Sequence, residues 1–66
     1  MTFPEHLCHL RITHNILQKD IAKATGMSLQ SYQRYEYGTR EPTLSKLIAL
    51  ADFYDLSLDE LVCRDR

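Results

Sequence analysis

Sixty-six residues, 44% hydrophobic and 26% charged, fit one soluble globular domain and exclude both a disordered chain and a second domain. A chain this short buries only about 60% of its unfolded surface, which leaves a marginal core and little room for an enzyme's substrate cleft. The formal net charge of −1 excludes a uniformly basic nucleic-acid binder, and no apolar run approaches the roughly 20 residues that a bilayer-spanning helix needs.

The first predicted element is a helix from about Glu5 to His14, with Phe3, Leu7, Leu10, Arg11 and His14 at helical spacing and Pro4 suited to its start. Asn15 can take the left-handed conformation that ends a helix, and Ile16 then turns inward. A second helix is expected from about Gln18 to Thr25, with Ile21, Ala22 and Thr25 on its inner face. Gly26 supplies a positive φ, Met27 plugs the core beneath the turn, and Ser28 is placed to cap a third helix. Tyr32 and Tyr35 form the buried stripe of that helix, and Gly38 ends it. Residues 39–42 read as a polar loop, and Thr43 as the cap of a fourth helix with Leu44, Leu47, Leu50, Ala51 and Tyr54 as its apolar positions. Ser57-Leu-Asp-Glu60 is a capping box, opening a last short helix through Leu61, Val62 and Cys63. The expected fold is all-α: five short helices in one globule.

Residues 18 to 38 carry most of the functional information. Two short helices joined by a tight glycine turn, the second with its hydrogen-bonding face outward, form a helix-turn-helix, which points to duplex DNA as partner. The charge supports this once it is divided. Residues 1–40 hold five basic groups against three acidic, a balance of +2, whereas residues 41–66 hold three against six, a balance of −3. That asymmetry suits a DNA-facing first part and a second part held away from phosphate. The opening Met-Thr-Phe-Pro-Glu lacks the features of a signal peptide, so a cytoplasmic chain is expected, with Cys8 and Cys63 as free thiols in preference to a disulfide. Cys8, His6, His9 and His14 match no zinc-ligand spacing and would not share one helical face, so neither a metal nor a cofactor is expected. The sequence also holds no nucleophile elbow or phosphate-cradling glycine loop, which argues against an enzyme.

From Leu7 to Leu61 the chain resembles the phage-repressor family of helix-turn-helix domains, the Cro-type or XRE-like regulators. The resemblance rests on Leu10-Arg11, Gln18-x-x-Ile21-Ala22, Gly26-Met27-Ser28, Tyr35-Glu36-x-Gly38, Arg40-Glu41-Pro42-Thr43-Leu44 and Leu56-Ser57-Leu58-Asp59-Glu60-Leu61, in order and at family spacing. It implies that Gln18, at the start of the second helix, holds a DNA phosphate, helped by the helix dipole and free amides. It places base reading at Leu29, Gln30, Gln33 and Arg34. Their chemistry suits adenine for Gln30, guanine for Arg34 and a thymine methyl for Leu29, although Arg34 can equally serve as a phosphate contact. Ser28, Ser31, Tyr37, Thr39, Arg40 and Thr43 are expected along the phosphate backbone, and Arg11 and Glu36 as a structural ion pair between the first and third helices.

The chain departs from the family pattern at four positions. Leu17 stands where a Thr or Ser cap is usual, Thr25 replaces a core leucine, Asp55 replaces a turn glycine, and Leu29 is apolar where a polar base reader is commoner. A homodimer through the fourth and fifth helices is expected, with Phe53, Leu58 and Val62 near its axis. The alternative is an antitoxin-like or other protein-binding module on the same frame, using exposed Ile12, Ile48 and Phe53.

Overall fold

The computed structural model describes residues 2–62, which form five helices and no strand. They are α1 (Phe3–Thr13), α2 (Gln18–Ala24), α3 (Leu29–Tyr37), α4 (Leu44–Tyr54) and α5 (Leu58–Leu61). Helix α1 packs against α3 and α5, α2 against α3, and α4 against α5. None of these helices is long and apolar enough to cross a membrane. Cys8 is a half-buried free thiol, whereas Cys63 lies outside the described residues.

Local chemistry sets where each helix begins. The hydroxyls of Thr2, Ser28, Thr43 and Ser57 each accept a hydrogen bond from the backbone amide three residues on, so α1, α3, α4 and α5 start on a satisfied cap. Thr2 and Glu5 form a full capping box, as do Ser57 and Glu60. Their backbone and side-chain hydrogen bonds hold the Glu5 and Glu60 carboxyls below the usual carboxylate range. The Thr2–Glu5 box moves the start of α1 two residues ahead of the sequence expectation. Helix α2 is the exception, because Leu17 occupies the cap position without a side-chain hydrogen bond. Leu17→Ser should therefore stabilise the domain by about 1 kcal/mol, since Leu17 is 57% exposed and loses little packing. Urea unfolding checks this, and an unchanged or lower midpoint would mean that the first α2 amides already have partners.

The first four helices end alike. Asn15, Gly26, Gly38 and Asp55 take left-handed φ values of 57°, 73°, 78° and 55°. The residue after each donates its amide to a carbonyl five residues back: Ile16 to Arg11, Met27 to Ala22, Thr39 to Arg34 and Leu56 to Ala51. Three of those following residues, Ile16, Met27 and Leu56, then pack on the core, so each turn also seals it. Gly38 has a second constraint, because a Cβ there would stand 3.3 Å from the Pro4 ring.

The core is Leu7, Ile21, Ala22, Tyr32, Tyr35, Leu50, Ala51, Tyr54 and Leu61, flanked by Phe3, Leu10, Ile16, Met27, Leu47 and Leu56. Thr25 is the α2 cap instead of a full core residue, and its hydroxyl donates back to the Ile21 carbonyl at 2.6 Å. Leu44 departs from expectation: it is 64% exposed because it is the first residue of α4, one turn ahead of Leu47, where the packing begins.

Candidate nucleic-acid interface

Helices α2 and α3, joined through Gly26, present a surface whose inner side is locked by one carboxylate. Glu36 sits on α3 among Tyr32 and Tyr35, and only 2% of its side chain is exposed, against 15% for Arg11. Four hydrogen bonds converge on it. Arg11 donates Nε to Oε2 at 2.6 Å and Nη2 to Oε1 at 3.2 Å, the Tyr32 hydroxyl donates to Oε2, and Gln18 Nε2 donates to Oε1 at 3.1 Å. Burial alone would push the Glu36 carboxyl up, but the bonds from Arg11, Tyr32 and Gln18 outweigh it and hold the group below its ordinary value. The same carboxylate raises the Arg11 guanidinium, while burial, followed by the bond to Glu36, raises the Tyr32 phenol. Arg11 also donates Nη1 to the Ile16 carbonyl at 3.0 Å, which ties the α1–α2 turn to the same knot.

The polar chain continues outward. Gln33 Nε2 donates to Gln18 Oε1 at 3.1 Å, so Glu36, Gln18 and Gln33 form one series from the core toward the surface. Both glutamines are half-buried. Gln33 therefore differs from the other residues expected to read bases: Gln30 and Arg34 are exposed and Leu29 is 42% exposed, all on the outer side of α3.

The residues expected along the phosphate backbone fall into two groups. Near the start of α3, the Ser28 hydroxyl accepts the Ser31 amide at 3.1 Å and donates to the Ser31 hydroxyl at 2.9 Å. That commits the Ser28 proton and leaves Ser31 to offer its own outward. At the other end, Tyr37, Thr39, Arg40 and Thr43 are all exposed. Thr43 is also the α4 cap, and Arg40 stands at the rim of a groove of about 280 Å³ lined by Phe3, Pro4, Leu47 and Val62. Lys46 carries a contact that helical periodicity does not reveal: its Nζ donates to the Gly26 carbonyl at 3.3 Å and ties α4 to the turn.

Of the residues expected near a dimer axis, Phe53 and Leu58 are partly exposed and Val62, the α5 cap, is half-buried. Phe53 packs edge-on against Tyr54 at a centroid distance of 5.1 Å, and burial pushes the Tyr54 phenol up to about 12. Ile48 and Ile12 are also exposed.

Comparison with known proteins agrees with this architecture. A family model described as Helix-turn-helix (HTH_3) matches residues 9–61. The cryptic phage CTXphi transcriptional repressor RstR of Vibrio cholerae serotype O1 is 39% identical over 97% of this chain and 57% of its own length. The transcriptional regulator AnsR of Bacillus subtilis is 36% identical over 94% of this chain and 53% of its own. The chain thus spans a little over half the length of these relatives. Among solved structures, the P22 c2 repressor in complex with a synthetic operator superposes with a TM-score of 0.90 at 26% identity, covering 98% of both chains. The restriction-modification controller protein C.AhdI of Aeromonas hydrophila gives 0.84 at 27% identity over 89% of both. With its five helices, its glycine turn and a family match over most of its length, the chain belongs to the Cro-type, XRE-like helix-turn-helix family.

Proposed function

We propose that this domain binds duplex DNA sequence-specifically as part of a transcriptional repressor, with α3 in the major groove and two copies on a palindromic operator. The observation that carries the reading is the outer side of α3. Leu29, Gln30 and Arg34 project from a helix whose inner side is fixed by the Glu36 knot, so base-reading chemistry rests on a rigid support. Gln18 and Ser31 on one flank and Tyr37, Thr39, Arg40 and Thr43 on the other are the phosphate contacts, with Ser28 holding Ser31 in place. The operator-bound P22 c2 repressor, with the same fold across both chains, supports the DNA reading.

The dimer follows from the shortage of contacts. One domain supplies a single α3 and few cationic groups, so it binds weakly alone, while a second copy adds effective concentration. Phe53, Leu58 and Val62 are the face that joins the copies, and adjacent half-sites then require the two α3 helices to lie about 34–36 Å apart, one turn of DNA.

Selection of bound sites from a random duplex pool tests both parts. The expected result is a palindromic consensus whose half-sites are one turn apart, and sedimentation should show a dimer on that site. A pool without enrichment would favour the protein-binding module, with exposed Ile12, Ile48 and Phe53 as its surface. A monomer at high concentration, both free and on DNA, would remove the dimer.

A further inference from the structure

We propose that Gln33 is a positioning residue: it holds the Gln18 amide so that only an N–H faces the DNA, and it does not itself read a base. The inference rests on the reading of Gln18 as a phosphate contact. A glutamine amide is ambivalent, with an acceptor at one end and two donors at the other, whereas a phosphate oxygen can only accept. A free glutamine must therefore be turned the right way round to hold a phosphate, and half of its rotations about the last bond place oxygen against oxygen.

Glu36 and Gln33 fix that rotation together, one at each end of the amide. An ionised carboxylate is an acceptor only, so Gln18 has to turn Nε2 toward it, as the 3.1 Å contact with Oε1 requires. The Gln18 oxygen then faces the other way and needs a donor. Gln33 supplies one from α3 at 3.1 Å, across a sequence separation of 15 residues. With one N–H on Glu36 and its oxygen turned to Gln33, the second N–H is the one donor that Gln18 keeps unassigned. That is the group a phosphate needs. The carboxylate itself is immobile, because Arg11 holds it with two bonds and Tyr32 with a third. The chain from Arg11 through Glu36 and Gln18 to Gln33 thus converts a buried charge on α3 into a defined polarity at the start of α2.

Two features separate Gln33 from the residues that reach outward. It is half-buried while Gln30 and Arg34 are exposed, and its amide already has a partner inside the domain. Loss of its donor leaves the Gln18 amide tethered to Glu36 alone, free to swing about that one bond and away from the phosphate. The effect is then the same on every sequence, because phosphates carry no base identity.

The test is a double-mutant cycle with Gln33→Met, which keeps side-chain length and removes the donor, and Gln18→Ala. Binding is measured on the selected site, on each single-mismatch duplex and on duplexes with one neutral methylphosphonate linkage at a time. Thermal melts first establish that both variants are folded. Gln18→Ala should weaken binding about 10-fold and Gln33→Met about 3- to 10-fold, uniformly across mismatches. In the Gln18→Ala background Gln33→Met should add nothing, because it acts through the missing amide. Both should lose their effect at the same methylphosphonate linkage. Additive losses, or a blurred preference at one base pair in Gln33→Met, would make Gln33 a base reader and overturn the proposal, as would parental binding by Gln33→Met while Gln18→Ala is weakened. If Gln18→Ala itself binds like the parent, the phosphate reading of Gln18 has failed, and this proposal falls with it.

Discussion

Arg11→Met should destabilise the domain by about 3–5 kcal/mol, the cost of leaving one partner of a buried pair uncompensated. At about 4–8 °C per kcal/mol for a domain this small, Tm falls by roughly 12 °C or more. The size follows from the asymmetry of the pair. Arg11 lies at the edge of the core, but Glu36 is almost wholly enclosed, so removing the guanidinium strands a carboxylate with only Tyr32 and Gln18 for support. Pairing Arg11→Met with Glu36→Leu should recover part of the loss, since two apolar groups need no solvation. Recovery stops short because the Tyr32 hydroxyl, itself buried, then faces no acceptor; adding Tyr32→Phe should recover most of the rest.

The acid response checks the same pair. Because the folded-state carboxyl of Glu36 lies below its ordinary value, its contribution is present above the unfolded value of about 4.3 and is lost as pH falls through the folded one. In Arg11→Met burial acts with less opposition, so the difference between variant and parent should narrow as the carboxyl is protonated. A melt in which Arg11→Met matches the parent at neutral pH would show that solvent, not Arg11, carries the Glu36 charge.

Most of the fold is legible in the sequence because it is written locally. Hydroxyl caps at Ser28, Thr43 and Ser57 mark three helix starts, and Asn15, Gly26, Gly38 and Asp55 mark four ends, each through a preference that acts within a few residues. Thr2-Phe-Pro-Glu5 carries the same box pattern as Ser57-Leu-Asp-Glu60, so the early start of α1 had a local signal, which Pro4 as a start marker obscures. Leu44 has the right periodicity, but periodicity gives direction around a helix and not whether a neighbour reaches its first turn.

The site divides along the same line. Helical spacing places Gln30 and Arg34 outward and Tyr32 and Tyr35 inward, since each depends on one helix alone. The Gln33–Gln18 bond and the Lys46–Gly26 bond depend on how separate elements cross. Gln33 and Gln30 are the same residue type on the same helix, three apart, and only the position of α2 beside α3 gives one an internal partner and leaves the other exposed.

Truncating the outer residues of α3 should separate reading from anchoring. Gln30→Ala and Arg34→Ala should each cost about 1–3 kcal/mol on the preferred site, the value of one good base contact. Gln30→Ala should blur a preference for adenine and Arg34→Ala one for guanine, because an amide pairs with adenine N6 and N7 and a guanidinium with guanine O6 and N7. The rival role for Arg34, a phosphate contact, predicts a different signature: uniform weakening and a salt slope smaller by about one, with base preference intact. The parent's own salt dependence should be shallow for a DNA-binding domain. Its slope counts cations at the phosphates, and the residues assigned to the backbone here are mostly neutral donors such as Gln18, Ser31, Thr39 and Thr43, with Arg40 the charged exception. Titrations on matched and single-mismatch duplexes at two salt concentrations distinguish these cases. Should Gln30→Ala and Arg34→Ala both bind like the parent at every position, α3 is not the reading surface, and the apolar residues Ile12, Ile48 and Phe53 become the place to look for a protein partner.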